Sequence, residues 1–301
     1  MAVIPQYELT QEMIDAAIET HEPLRLLYGV YNVAQTLRIN QCCGLRVVGA
    51  GLFDPTSTGP GWSQLGQAIG TKLLWTGPTG GTMLDITSSM DTRFDGVCAD
   101  GNHSAAIGLG CWTINGWPNS ATHVRNATIQ NFTQAGVQFG KPSQPSGWNS
   151  DLSIMENVTF DGSPIGIQVC NDQSVGHVWS NITHGQSNKV CISLDQGGQV
   201  MIRGINQNGN PPRTFLRLGE GGCNVATVLI SGGHVEAGTL IDASASPPYA
   251  DWVIHLESIL GTAPTPVDWP IIKASANASI TSAGCKFNGR GIQSPNFSGA
   301  V

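Results

Sequence analysis

Short runs in which every second residue is apolar recur along most of this chain, separated by glycine, asparagine and proline. One set can be stacked as Met83-Leu-Asp-Ile, Ala106-Ile-Gly-Leu, Gly136-Val-Gln-Phe, Gly166-Ile-Gln-Val, Cys191-Ile-Ser-Leu, Phe215-Leu-Arg-Leu, Leu240-Ile-Asp-Ala and Ile271-Ile-Lys-Ala. Successive side chains of a strand point to opposite faces. Leu84/Ile86, Ile107/Leu109, Val137/Phe139, Ile167/Val169, Ile192/Leu194 and Leu216/Leu218 are therefore expected to share one interior. A second set of runs includes Leu152-Ser-Ile, His177-Val-Trp, Val200-Met-Ile and Val225-Ala-Thr-Val-Leu-Ile. Each is followed by a corner near Asn131, Asn157, Asn181 or Gly204, residue types that tolerate the left-handed backbone of a tight turn. Asparagines at equivalent corners are expected to hydrogen-bond up the stack.

The unit strand, turn, strand, corner repeats about every 22 to 32 residues, and one unit alone cannot cover its apolar side chains. The expected fold is all-β: a single-stranded right-handed parallel β-helix, a solenoid of about nine coils. Ahead of it, Leu9 to Thr20 reads as a short amphipathic α-helix with Thr10 as N-cap and Met13, Ile14, Ala17 and Ile18 on one face, placed to cap the open end of the solenoid. The expected division is 1–22 for the capping segment, 23–276 for the β-helix and 277–301 for a C-terminal cap or subunit-contact tail.

Composition narrows the function classes. Only 12% of the 301 residues are charged, too few for long solvated helices, while 38 glycines and 17 prolines are spread throughout. A net charge of −7 without any basic run argues against a nucleic-acid partner. There is no run of apolar residues long enough for membrane insertion and no basic, apolar leader of the signal-peptide kind. The eight cysteines show no CxxC and no Cys/His spacing suited to zinc, so most read as small buried hydrophobes, and neither metal nor cofactor is expected. The sequons at Asn102, Asn126, Asn131, Asn157, Asn181, Asn277 and Asn296 read as a by-product of Asn-rich repeats. The histidines at 103, 123, 177, 184, 234 and 255 form no Ser/His/Asp order and read as corner or surface residues.

The N-terminal helix is followed by Pro23-Leu-Arg-Leu-Leu-Tyr-Gly-Val-Tyr-Asn-Val, Leu37-Arg-Ile and Leu45-Arg-Val-Val-Gly-Ala-Gly. This order resembles the opening of the pectate-lyase-like right-handed parallel β-helix superfamily, and within it phage tailspikes and related virion β-helices. The resemblance covers most of the chain through its coil pattern. It implies location in a virion after synthesis in the host cytoplasm, or alternatively an extracellular product exported by a non-Sec route. A homotrimer, contact with other virion proteins and contact with host surface polysaccharide are implied as well. The catalytic elements of the best-known enzymes of this fold do not carry over: the chain has no Asp-Asp pair, and Gly176-His177-Val178 and Gly233-His234-Val235 lack the third glycine of a Gly-His-Gly element. Whether it is an enzyme therefore stays open.

Two groups of residues are candidates for chemistry. Stacking at about 4.8 Å per coil places Asp195, Glu220 and Asp242 near one outer edge, with Arg217 and Lys273 close by. Asp195 and Glu220 form the candidate pair for glycoside cleavage, which needs two suitably spaced carboxylates; the alternative is a surface ladder of alternating sign. The insertions Cys111–Ser120 and Lys141–Ser150 leave adjacent coils at the same point, so Trp112, Trp117 and Trp148 form a candidate sugar-stacking flank or a packed or subunit-contact cluster. Three functions fit these features: a tailspike-like or surface-decorating virion protein that recognises glycan, a polysaccharide depolymerase acting as hydrolase or lyase, and a purely architectural capsid or tail protein.

Overall fold

A computed structural model describes residues 4–51, 70–114, 118–142, 149–171, 174–185, 189–207, 213–219, 226–236, 238–245, 252–261, 270–288 and 291–299. The chain is a parallel β-solenoid of about eight turns. A 15-stranded sheet and a 10-stranded sheet, here the first and second sheets, face each other across the interior, and each coil gives a strand to both.

Alternation within the strands produces two continuous inner columns on the second sheet. One runs Leu37, Leu84, Leu109, Val137, Ile167, Ile192, Leu216, Ile241, Ile272. The other runs Ile39, Ile86, Cys111, Phe139, Val169, Leu194, Leu218. Residues in both are at most 3% exposed. At about 1.5–3 kcal/mol for each large side chain buried, these columns are a large part of the cohesion between coils. The register corrects one expectation: Ile107 lies opposite Thr82 and Ala135, and it is Leu109 and Cys111 that continue the ladder of Leu84 and Ile86.

The corners are left-handed in coil after coil. Gly96, Asn126, Asn157, Asn181, Gly204, Gly232 and Ser258 all have φ between 47° and 68°. The asparagines form the expected ladder: Asn126 Nδ2 donates to Asp95 at 2.9 Å, Asn157 Nδ2 to Asn126 at 3.1 Å and Asn181 Nδ2 to Asn157 at 2.9 Å. At Gly204 a Cβ would stand 2.6 Å from Asn181 Oδ1, so this coil replaces the asparagine with glycine. Asn131 belongs to a different corner, aligned with Gly162, where its side chain donates to buried Asp100 at 3.0 Å. The asparagine that starts the ladder is Asn126.

Helix α1, Gln11–Thr20, covers the N-terminal end with Ile14 and Ala17 buried and Met13 and Ile18 packed against the core. Thr10 stands at the N-cap position without a side-chain capping bond. Gln11 instead caps the edge strand Leu37–Asn40: its Oε1 accepts from Arg38 N at 2.7 Å and its Nε2 donates to Arg38 O at 2.8 Å, as a neighbouring peptide would. At both ends the solenoid extends past the expected boundaries. Gln6–Glu8 pairs with Gly29–Val33, while Ala278–Ala283, Ile292–Gln293 and Phe297–Gly299 continue the two sheets. Among the described residues no helix is long and apolar enough to cross a membrane.

Candidate functional site

On the second sheet's outer face, one residue beyond the inner column, Gly140, Cys170, Asp195 and Gly219 follow each other coil by coil; each backbone N–H bonds the carbonyl of the coil before. The next outward column runs Gln138, Gln168, Ser193, Arg217, Asp242, Lys273. Where the two columns meet, Asp195 is held from three sides. Gln168 Nε2 donates to its Oδ2 at 2.6 Å and Ser193 Oγ donates to its Oδ1 at 2.6 Å. Arg217 Nη2 lies 3.6 Å from Oδ1, while Arg217 Nε donates to Ser193 Oγ at 3.0 Å. The strands fix this arrangement, because Gln168, Ser193 and Arg217 rise from paired strands in register and Asp195 follows directly on the strand that carries Ser193, its N–H bonded to Val169 O.

Above it opens a groove of about 400 Å³, bordered by Pro142, Cys170, Asp195, Gln196, Arg217 and Gly219. Asp195 and Arg217 remain partly open to it, with side chains 31% and 40% exposed. The groove therefore offers a fixed carboxylate, a guanidinium with donors to spare and the apolar rims of Pro142 and Ala245, the combination of shape and few polar groups that suits a small organic ligand. The Cys170 thiol beside it is 4% exposed. Burial first, and then the charge of Asp195, push its pKa up to about 12, so at neutral pH it is a thiol rather than a nucleophile.

The structure brings Asp195 and Arg217 together and puts Asp242 and Lys273 on the next coils, in an alternating-sign ladder. Asp242 turns to its own strand end, accepting from Ser244 N at 3.0 Å and Ser244 Oγ at 2.6 Å. Glu220 lies outside the described residues, as do Trp117 and Trp148. Trp112 is 4% exposed: its ring covers Gly110, where a Cβ would meet Cζ2, and Lys141 Nζ sits 4.8 Å from a ring centroid. Packed in this way it presents no open stacking face. The feet of the two insertions do lie side by side, Asn119–Ser120 pairing in parallel with Ser150–Asp151.

Gln168 and Ser193 are the residues that sequence reasoning passed over. Their signal was available, since both occupy the variable outward position of an alternating strand at the same register as Arg217.

A smaller hollow of about 160 Å³ on the first sheet gathers Arg46, Arg93, His123 and Arg125. Its charges are largely answered locally: Asp91 accepts from Arg93 at 2.7 and 3.1 Å, and Arg125 pairs with Glu156 at 3.3 Å. His123 is held below its ordinary pKa by burial and then by Arg93, which disfavours a further cation there.

No family model matches this chain, and no curated protein does. Among solved structures, the ORF18 protein of Geobacillus virus E2 superposes with a TM-score of 0.47 at 11% identity, over 87% of this chain and 54% of that one. The Agl-KA catalytic domain superposes with a TM-score of 0.40 at 12% identity, over 94% of this chain and 62% of that one. The chain thus spans less than two thirds of the length of either.

Proposed function

We propose that this chain is a carbohydrate-recognising β-helix of a phage particle and that the groove above Asp195 and Arg217 is its sugar subsite. The observation that carries the reading is the network itself. Gln168, Ser193 and Arg217 hold one carboxylate rigidly at the floor of an open groove, with no such arrangement needed to stabilise a surface charge. A sugar hydroxyl can donate to Asp195 and accept from Arg217 at once, and pre-organised groups bind without an ordering cost. The virion assignment rests on the resemblance of the opening and coil pattern to tailspike-type β-helices.

The test is calorimetric titration with oligosaccharides cut from host capsule or lipopolysaccharide. Asp195→Asn and Arg217→Ala should each weaken binding by about tenfold, the effect of losing a charged hydrogen-bond partner; unchanged affinity overturns the subsite. Asp195 is the one carboxylate among the described groove residues, and both its oxygens already accept hydrogen bonds. That favours recognition over proton transfer. Release of new reducing ends that is lost in Asp195→Asn would instead establish the depolymerase. Flanking capsid or tail genes are the expected neighbourhood of the coding sequence, and a metabolic operon would overturn the virion half.

A further inference from the structure

The outer face of the first sheet differs from the groove face. Its central outward column reads Ile154, Val178, Met201, Leu229, His255, Thr281 over six successive strands. The column beside it reads Glu156, Ser180, Arg203, Ser231, Glu257, Ala283. Val178 and, one position to the other side, Val253 are 37% and 40% exposed. Arg203 and Glu257 are both exposed and lie on strands either side of Ala226–Val235. Neither forms an ion pair among the described residues.

We infer that this face is a self-association surface on which a second copy of the chain lies antiparallel, related by a two-fold axis along strand Ala226–Val235. Rotation about that line keeps each residue's position along the strand and exchanges the strands on either side. It sets Arg203 against Glu257 of the partner subunit and Glu257 against Arg203 of the partner subunit, with Leu229 meeting its own copy at the centre. An isologous contact of this kind needs a surface complementary to itself; Arg203 and Glu257 supply its charged part, while the same rotation sets Met201 against His255 of the partner subunit and Val178 against Thr281 of the partner subunit. A parallel arrangement of two solenoids, or a three-fold one, opposes residues of the same coil. It leaves Arg203 and Glu257 facing the uncharged outward positions of their own coils.

Five coils at about 4.8 Å and three outward positions define a face of roughly 24 by 20 Å, so about 1,000 Å² is buried in total, near the lower bound for a specific interface. The inference does not depend on the glycan reading. Its test is light scattering after size exclusion, with the full chain over a micromolar concentration series. A dimer is expected. Arg203→Glu alone and Glu257→Arg alone each turn two attractive pairs into two repulsive ones and should weaken dimerisation by about tenfold or more. The double variant, with both charges exchanged, should recover most of it. Both side chains are exposed, so far-ultraviolet circular dichroism should be unchanged throughout. A monomer at every concentration, a trimer, or a double variant as weak as the single ones overturns the inference.

Discussion

Two hydrogen-bonded clusters in this protein are each built round a serine, one sealed inside the solenoid and the other at the floor of a groove. Inside, Trp179 Nε1 donates to Ser153 Oγ at 3.0 Å, and Ser153 Oγ stands 2.7 Å from His177 Nδ1. Ser153 N also donates to Nδ1 at 3.3 Å, which makes that nitrogen the acceptor and the ring neutral. His177 is stacked on Trp179 and tilted against Phe139, with centroids 5.3 and 5.1 Å away. Outside, Ser193 links Asp195 to Arg217 in much the same way, yet both of those side chains reach the groove. The chemistry of the links is alike, and access to water separates them. A sealed network stakes stability on every partner, whereas an open one can exchange a partner for water or ligand.

The largest expected consequence is acid sensitivity from inside. Burial lowers the His177 pKa from 6.5 to about 3. As pH falls through that window the unfolded chain takes up a proton that the folded chain refuses, so stability declines and levels off below about pH 3. At about 1.4 kcal/mol per pKa unit the whole window is worth on the order of 5 kcal/mol, of which about 2 falls between pH 6.5 and 4.5, where most carboxylates are still ionised. Urea unfolding across those pH values measures it. His177→Phe keeps the stack and should flatten the profile by that amount; a variant with the wild-type profile would break the contrast.

His177 also shows how much of the architecture was legible. The strand beginning His177-Val-Trp alternates, so parity alone places His177 on the same inner face as Trp179, yet a titratable side chain reads as a surface residue until its cover is known. The apolar columns were legible because a period of two survives any loop length. Their register at Ile107 was not, because Ile107, Leu109 and Cys111 continue a single alternation and only coil-to-coil hydrogen bonds say which two of the three meet Leu84 and Ile86. Asn126 and Asn131 lie five residues apart and both turn corners, so spacing could not say which one begins the ladder. Of the groove, Asp195 and Arg217 were readable from stacking. The places of Gln168 and Ser193 in the same outward column were readable too, but that they hold the carboxylate was not, because register gives a side chain's position and not the atom it bonds.

A matched pair of truncations sharpens the comparison at intermediate size. Ser153→Ala removes the acceptor of the fully buried Trp179 Nε1, whose N–H then has neither partner nor water, and should cost about 1–3 kcal/mol in urea unfolding. Ser193→Ala removes the same hydroxyl at the groove, where Asp195 keeps Gln168 and both charged groups can recruit water. Its cost should stay under about 1 kcal/mol. Equal costs would mean that the groove floor is as dry as the interior, and the subsite reading would lose its open carboxylate.

The smallest effect on stability is expected at Arg217, and it separates a binding residue from a structural one. Its side chain is 40% exposed and its contact with Asp195 is 3.6 Å, so the pair lies in the range where solvent and salt screen most of the attraction. Arg217→Lys keeps the charge but loses the planar fork that reaches Ser193 and Asp195 together. The urea midpoint should move by less than about 0.5 kcal/mol equivalent, while oligosaccharide affinity falls nearly as far as in Arg217→Ala. A folded lysine variant that binds as well as wild type would show that only a positive charge is needed there, and the ligand would then be drawn by charge rather than fitted by the fork. Loss of stability without loss of binding would place Arg217 with the sealed cluster's residues, as a strut of the coil stack rather than part of a sugar site.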